Sequence, residues 1–286
     1  MIVWRDSEFV EADSAIATSD RGWLIGDAAF ETILVESGRA AFLGRHLARL
    51  RRAARILDIN AEIELLTLKA AVAEVARKNE IAGRAACRIT LSRVGGARGL
   101  APSPAAKAQI VVSIAPSAAP AERPMRLIVS TRRRWTGAAT NAFKCAGAYA
   151  ENMLARAEAA AAGAHEAVML NEFSRVACLS AANIFVIREG RIETPAESEG
   201  ALPGVVRGVL LEEAVRLGLS PRETQIAPED LSGAALLATN SIAGAVRSVF
   251  DGADVAAESK LADKLLKAYE DRLASEFSAA SPEGAA

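Results

Sequence analysis

Three prolines fall within the ten residues APSAAPAERP, residues 115–124. Each proline fixes φ and removes a backbone donor, so such a stretch cannot continue a central strand. It separates two β-rich runs, QIVVSIA (109–115) and MRLIVSTR (125–132), and is the best linker in the chain. A length of 286 residues admits one large domain or two modest ones. The expected division is a small N-terminal α+β domain over 1–117, a linker over 118–124, and a larger C-terminal domain over 125–277. The last residues, 278–286 (SAASPEGAA), are small and polar and are expected to fray.

The periodicity on either side differs. MIVWRDSEFVEA opens as a strand, TSDRGWLIGD reads as a loop, and AFETILVESGRAAFL is a hairpin turning at Ser37 and Gly38. Leu47, Leu50, Ala54 and Leu57 recur at three- and four-residue spacing, which predicts an amphipathic helix, and residues 61–78 predict a second. CRITLSR and QIVVSIA are predicted strands. Beyond the linker, residues 149–162 predict a helix closed by Gly163, residues 204–217 another stopped by Gly218, and residues 258–277 a last one. Between them run short strands with a tight turn at Glu189 and Gly190. No repeat of 20–50 residues is visible. The fold class is α+β or α/β.

Composition removes several functions. With 34 Lys+Arg against 35 Asp+Glu the formal charge is −1, without the basic footprint of a nucleic-acid binder. Alanine, 63 residues, inflates the hydrophobic fraction without adding much core volume, and the apolar runs fall far short of the roughly 20 residues a spanning helix needs. The N-terminus meets acidic residues at once, unlike a signal peptide. Cys87, Cys145 and Cys178 are odd in number and far apart, so a disulfide framework is not expected and a reducing cytoplasm is. With only His46 and His165, no multi-histidine metal site can be built; polar catalysis must lean on Lys, Tyr, Asp/Glu or a cofactor.

GxxxxGK[ST], GxGxxG, GxSxG and HExxH are all absent. Six local signals occur instead, in this order: DRGWLIGDAAFETI (20–33), HLARL (46–50), FKCAGAY (143–149), MLNEFSRVACLSAANIFVI (169–187), TPAESEGALPGVVR (194–207) and ATNSIAG (238–244). Each is weak alone. Together, over about residues 20–250, the chain resembles the class IV, fold type IV, pyridoxal-phosphate enzymes, a group of branched-chain and D-amino-acid aminotransferases, amine transaminases and aminodeoxychorismate lyases. The resemblance implies a two-domain fold with pyridoxal 5'-phosphate held between the domains, the C-terminal one binding most of it. It also implies a homodimer that transfers an amino group from an amino acid or amine donor to a 2-oxo acid.

By the same resemblance Lys144 is the Schiff-base lysine, able to shuttle a proton as general base, and Tyr149 meets the cofactor's phenolic oxygen. Out of context Lys144 would read as a surface lysine. Arg49 is similar to the family arginine that grips the phosphate; otherwise it is a solvent-facing member of RHLARLRRAAR. Gly204, Val205 and Val206 open a helix, where free N–H groups and the dipole favour an anion, and Asn240 and Ser241 offer further donors. The family usually carries Thr where Val206 stands, so one hydroxyl is missing. Arg98, in SRVGGARG, is either a carboxylate clamp or a turn arginine. Phe30 and Glu31 follow the lyase and D-aminotransferase style, while KCAGAY follows the branched-chain style, so Phe30 is placed at the substrate. Trp23 is expected to fill a core, and Arg132–Arg134 to be a solvated strand end.

Cys178 is the main departure. Relatives place there a glutamate that pairs with the cofactor's pyridine nitrogen. A neutral thiol supports that nitrogen poorly; a thiolate of depressed pKa would do better. The readings that follow are an aminotransferase with a weaker electron sink, a cofactor-binding protein with little turnover, or a glutamate counterpart one residue away. An isolated cysteine can also be plain buried packing. Among enzymes the alternative to transfer is aminodeoxychorismate lyase, which releases pyruvate.

Overall fold

The computed structural model describes residues 1–95, 99–119, 124–250 and 256–278. The chain divides into two compact units. Where the sequence suggests one cut near residue 118, the units interleave. The first holds Met1–Ala119, Phe143–Ala148 and the chain from Leu273; the second holds Pro120–Ala142 and Tyr149–Arg272.

In chain order the first unit carries β1 (Ile2–Arg5), β2 (Glu8–Glu11), α1 (Arg21–Ile25), β3 (Ala28–Glu36), β4 (Arg39–Ala40), α2 (Leu43–Ile56), α3 (Leu65–Lys78), β5 (Arg84–Val94) and β6 (Lys107–Pro116). Its strands form one sheet, ordered β2-β1-β6-β5-β3-β4. Strand β5 shows the reason in its alternation. Ala85, Cys87, Ile89 and Leu91 are fully buried while the residues between them are not, so one face of the sheet is apolar and must be covered. Helices α2 and α3 bring apolar stripes to the same core, Leu43, Leu47, Leu50 and Ala54 from one, Leu68, Val72 and Val75 from the other.

Three sequence expectations change here. The opening strand is a hairpin, because Asp6 and Ser7 take positive φ (47° and 81°) and Asp6 Oδ1 accepts the Ile110 N–H at 2.7 Å. The helix expected from residue 61 begins at Leu65, with Glu64 extended (φ −90°, ψ 128°) as its N-cap, and the Ile63 carbonyl before it accepts from Arg51 Nε at 3.0 Å. TSDRGWLIGD is not all loop but contains α1, on which Trp23 is 68% exposed rather than core.

The second unit carries β7 (Met125–Arg134), α4 (Ala150–Ala161), β8 (Glu166–Asn171), β9 (Val176–Leu179), β10 (Asn183–Arg188), β11 (Arg191–Pro195), α5 (Val205–Arg216), β12 (Arg222–Thr224), β13 (Ala235–Asn240), β14 (Gly244–Val249) and α6 (Ala256–Ser278), whose last turns belong to the first unit. Its sheet runs β12-β11-β10-β13-β14-β7-β8-β9. It mixes antiparallel pairs with three parallel ones, β11/β12, β14/β7 and β7/β8. Alanine finds its use here: Ala155 and Ala159 of α4 are completely buried against Ala167 and Met169 of β8, so the helix backbone lies close on the sheet. Arg134 is not a solvated strand end; its Nη2 donates to Asn141 Oδ1 at 2.8 Å. No described helix is long and apolar enough to cross a membrane.

Candidate active site

In the first unit, segment Phe143–Ala148 lies along β3. The Phe30 N–H donates to the Lys144 carbonyl at 2.9 Å, Ala29 and Cys145 form a one-residue bridge, and Phe143 is buried as the anchor. The approach depends on glycine: Gly26 sits at φ +69°, and a Cβ on it would stand 2.5 Å from Gly147 Cα. The result is a half-buried Lys144 whose Nζ lies 4.8 Å from the centre of the Phe30 ring. Arg88, an exposed residue of β5, stacks on the same ring with Cζ 3.7 Å from its centre. Phe30 pairs with Thr90, and Thr32 with Arg88, so Phe30 and Arg88 share one face of the sheet.

Glu31, the next residue on β3, points the other way and is 1% exposed. Its carboxylate takes Arg49 in a fork, Nε to Oε1 at 2.8 Å and Nη2 to Oε2 at 2.7 Å, and His46 Nδ1 stands 2.6 Å from Oε2. HLARL is the means, because His46 and Arg49 are three apart on α2 and present one face. Burial alone would push the Glu31 carboxyl up, but the Arg49 guanidinium and then His46 outweigh it and hold the group at about 2. His46 is pushed below its ordinary value by burial, with the Arg49 and Lys144 charges adding to that against the pull of Glu31. A neutral imidazole therefore carries its hydrogen on Nδ1, assigned from the short contact to the carboxylate. Lys144 is lowered to about 8 by burial and by the Arg49 and Arg88 charges, with Glu31 opposing. A lysine so poised supplies free amine near neutral pH.

Arg49 is thus buried, not solvent-facing, and the structure brings it together with Phe30 and Lys144. Arg98 lies outside the described residues. Sequence reasoning passed over Arg88 and the Glu31–His46 pair. The signals were present but faint: an arginine at an outward position of a strand, and a histidine opening a helix motif.

The second unit places the remaining candidates. Tyr149 precedes α4. Gly204 is the N-cap of α5, with Val205 and Val206 in its first turn, where amide groups have no acceptor within the helix. A Cβ on Gly204 would overlap Asn183 Oδ1. Asn240 ends β13 and Ser241 follows it in the turn; Asn240 Oδ1 closes that turn by accepting from the Ile242 and Ala243 N–H groups at 3.0 and 2.7 Å. Cys178 sits opposite Met169 in an apolar cluster with Ala155, Ala159 and Ala167. Its thiol is pushed up by burial, with Arg134 opposing and Glu166 adding. Burial thus disfavours the depressed thiolate that would support a charged ring nitrogen and leaves a neutral thiol.

These residues can be weighed against pyridoxal phosphate. A poised amine, an N-cap with no room for a side chain, and the buried Thr239 hydroxyl, which has no hydrogen-bond partner among the described residues, suit the aldehyde and the phosphate. The neutral Cys178 suits only an uncharged ring nitrogen. No group of three His, Cys, Asp or Glu that could hold a metal occurs among the described residues.

Comparison with known proteins gives this arrangement a family. The profile of the amino-transferase class IV family matches residues 28–249. A protein of Methanocaldococcus jannaschii, provisionally named a branched-chain-amino-acid aminotransferase, is 29% identical over 254 residues, 88% of each chain. The branched-chain amino acid aminotransferase of T.th., solved with pyridoxamine 5'-phosphate, superposes with TM-score 0.84 at 25% identity, over 95% of this chain and 94% of that one. A Legionella pneumophila protein, provisionally a 4-amino-4-deoxychorismate lyase, gives TM-score 0.84 at 26% identity, over 92% of this chain and 97% of that one. The chain belongs to the class IV aminotransferases.

Proposed function

We propose that the protein is a pyridoxal-phosphate-dependent aminotransferase that moves an amino group from an amino acid or amine to a 2-oxo acid. The observation that carries this reading is Lys144, pinned to β3 by its own backbone and lowered to about 8. Pyridoxal phosphate, when bound, supplies an aldehyde that exchanges amines and a ring that draws electrons from the substrate's Cα. The chain's own residues do the rest. Lys144 Nζ is the amine that meets the aldehyde and afterwards carries the proton. Arg49, oriented by its fork on Glu31, offers its charge to phosphate in the first unit; the Val205 and Val206 amides, with Asn240 and Ser241, do so in the second. Tyr149 is assigned to the ring oxygen. Phe30 forms an apolar wall, and Arg88, held flat on it, is the carboxylate-binding arginine of the described residues. The exposed Trp23, Leu24 and Ile25 of the first unit and Trp135, Met153 and Phe173 of the second fit a homodimer, which light scattering would report as twice the monomer mass.

A panel of amino donors, branched-chain amino acids first, decides the reading. Donor-dependent conversion of the bound cofactor to its amino form, completed only when a 2-oxo acid is added, is the expected result. Arg88→Gln should raise KM for carboxylate substrates by about tenfold and leave kcat closer to wild type, since it removes binding shared by ground and transition state. Pyruvate release from aminodeoxychorismate without an acceptor would instead make the protein a lyase, the reading that the Legionella relative favours. The neutral Cys178 favours a third reading, a binder with little turnover. Cofactor bound to Lys144 with no donor converting it would establish that one and sink transfer.

A further inference from the structure

An exposed arginine on a strand explores many rotamers, and holding it in one place needs specific contacts. Arg88, exposed on β5, has two. Its Cζ lies 3.7 Å from the centre of the Phe30 ring, and its Nε donates to Thr90 Oγ1 at 3.1 Å. Arg88 and Thr90 are two apart on β5 and so stand on the same side of the sheet. Thr90 is also the residue directly opposite Phe30, and side chains so opposed have Cβ atoms about 5 Å apart. Ring and hydroxyl therefore form one unit of the sheet, and the guanidinium is tied to both members. The register shows what the hydroxyl decides. Arg88 itself stands between Thr32 on β3 and Ser113 on β6, so its side chain can lean along the strand in either direction. Thr90 draws it to the row of Phe30, whose ring centre is 4.8 Å from Lys144 Nζ. Stacking alone also lets a guanidinium turn in its own plane; the bond to Thr90 fixes that rotation. With Nε on Thr90, the edge formed by Nη1 and Nη2 is the one turned towards the two oxygens of a carboxylate.

We propose that Thr90 is a positioning residue whose hydroxyl aims Arg88 at the substrate carboxylate. The assignment rests on the reading of Arg88 as the carboxylate-binding arginine of an aminotransferase and adds what sets its direction. Thr90 acts through Arg88 and not on the substrate. Phe30 supplies the surface on which the guanidinium lies, and Thr90 supplies the stop that keeps it there. Valine at this position keeps the shape and the strand preference of threonine and removes only the acceptor.

Two measurements test this: donor kinetics, and calorimetric titration of the cofactor-loaded protein with hexanoate and with hexanamide. Hexanoate is a carboxylate with no amino group to transfer, and hexanamide is its uncharged counterpart. Thr90→Val should raise the Kd for hexanoate and the KM for carboxylate donors by about three- to tenfold, the worth of one hydrogen bond. It should leave the Kd for hexanamide unchanged and kcat closer to wild type. Thr90→Ser, which restores the acceptor, should stay within about twofold of wild type. In an Arg88→Gln background Thr90→Val should cost nothing further, because a residue that acts only through Arg88 has nothing left to aim. A structural threonine would weaken acid and amide alike, and would do so whether or not Arg88 is present. Unchanged hexanoate binding in Thr90→Val, equal losses for acid and amide, or an added loss in the Arg88→Gln background overturns the assignment. If wild type prefers hexanoate through Thr90 and Arg88 but converts no donor, the assignment stands and the transfer reading falls. If wild type converts donors yet binds acid and amide equally, transfer stands and the assignment falls.

Discussion

Replacing Lys144 with alanine should reduce amino-group transfer by more than about 10⁴-fold, because one side chain serves as both the covalent amine and the proton carrier. Lys144 is only half buried, so the variant should keep its fold, and its far-ultraviolet spectrum should match wild type. The same residue gives a second readout that requires no turnover. The amine is uncharged above its pKa, and Lys144 is lowered to about 8. Reductive labelling of the cofactor-free protein by a small aldehyde should therefore rise with pH around a midpoint near 8, while exposed lysines respond about two pH units higher. Peptide mass mapping separates them. A variant that still converts donors, or a Lys144 that labels no earlier than Lys260 or Lys264, would remove the group on which the reading depends.

How much of this was legible depends on whether a signal is local. FKCAGAY announces Lys144, because a lysine before small residues and a helix is a pattern within seven positions. The Ser37–Gly38 turn is equally local, and φ values of 49° and 77° agree with it. The Glu31–His46–Arg49 cluster is not local. It joins a strand to a helix across 15 to 18 residues, and only the packing of α2 on β3 makes it a unit. Cys178 illustrates the reverse difficulty. Its position was readable, but the direction of its pKa depends on burial against α4 and on Arg134 and Glu166, none of them neighbours in sequence. Trp23 differs for a similar reason: a tryptophan is usually covered, and its 68% exposure on α1 depends on packing that is not written nearby. Thr239 sits at the end of an apolar run and looks like its edge, until the register sets it opposite Asn183.

Glu31→Gln should be the most damaging single change away from Lys144. It leaves the Arg49 guanidinium and the His46 ring buried around a neutral amide, and removing one partner of a buried charge pair costs about 3–5 kcal/mol. The loss should appear as a lower denaturant midpoint at pH 7. Its pH dependence identifies the cause. The carboxyl ionises near its ordinary value of 4.5 in the unfolded chain and at about 2 in the folded one. Its contribution is fully present above pH 4.5 and fades as pH falls towards 2, where both states bind the proton. The stability gap between wild type and Glu31→Gln should therefore be constant at neutral pH and close between about pH 5 and 2. Lys144 should respond in the opposite sense. Glu31 is the charge that supports its ammonium against burial, Arg49 and Arg88, so its labelling midpoint should fall below 8 in the variant. A stability gap independent of pH would reduce Glu31 to packing, and an unmoved Lys144 midpoint would uncouple the strand's inner face from its outer one.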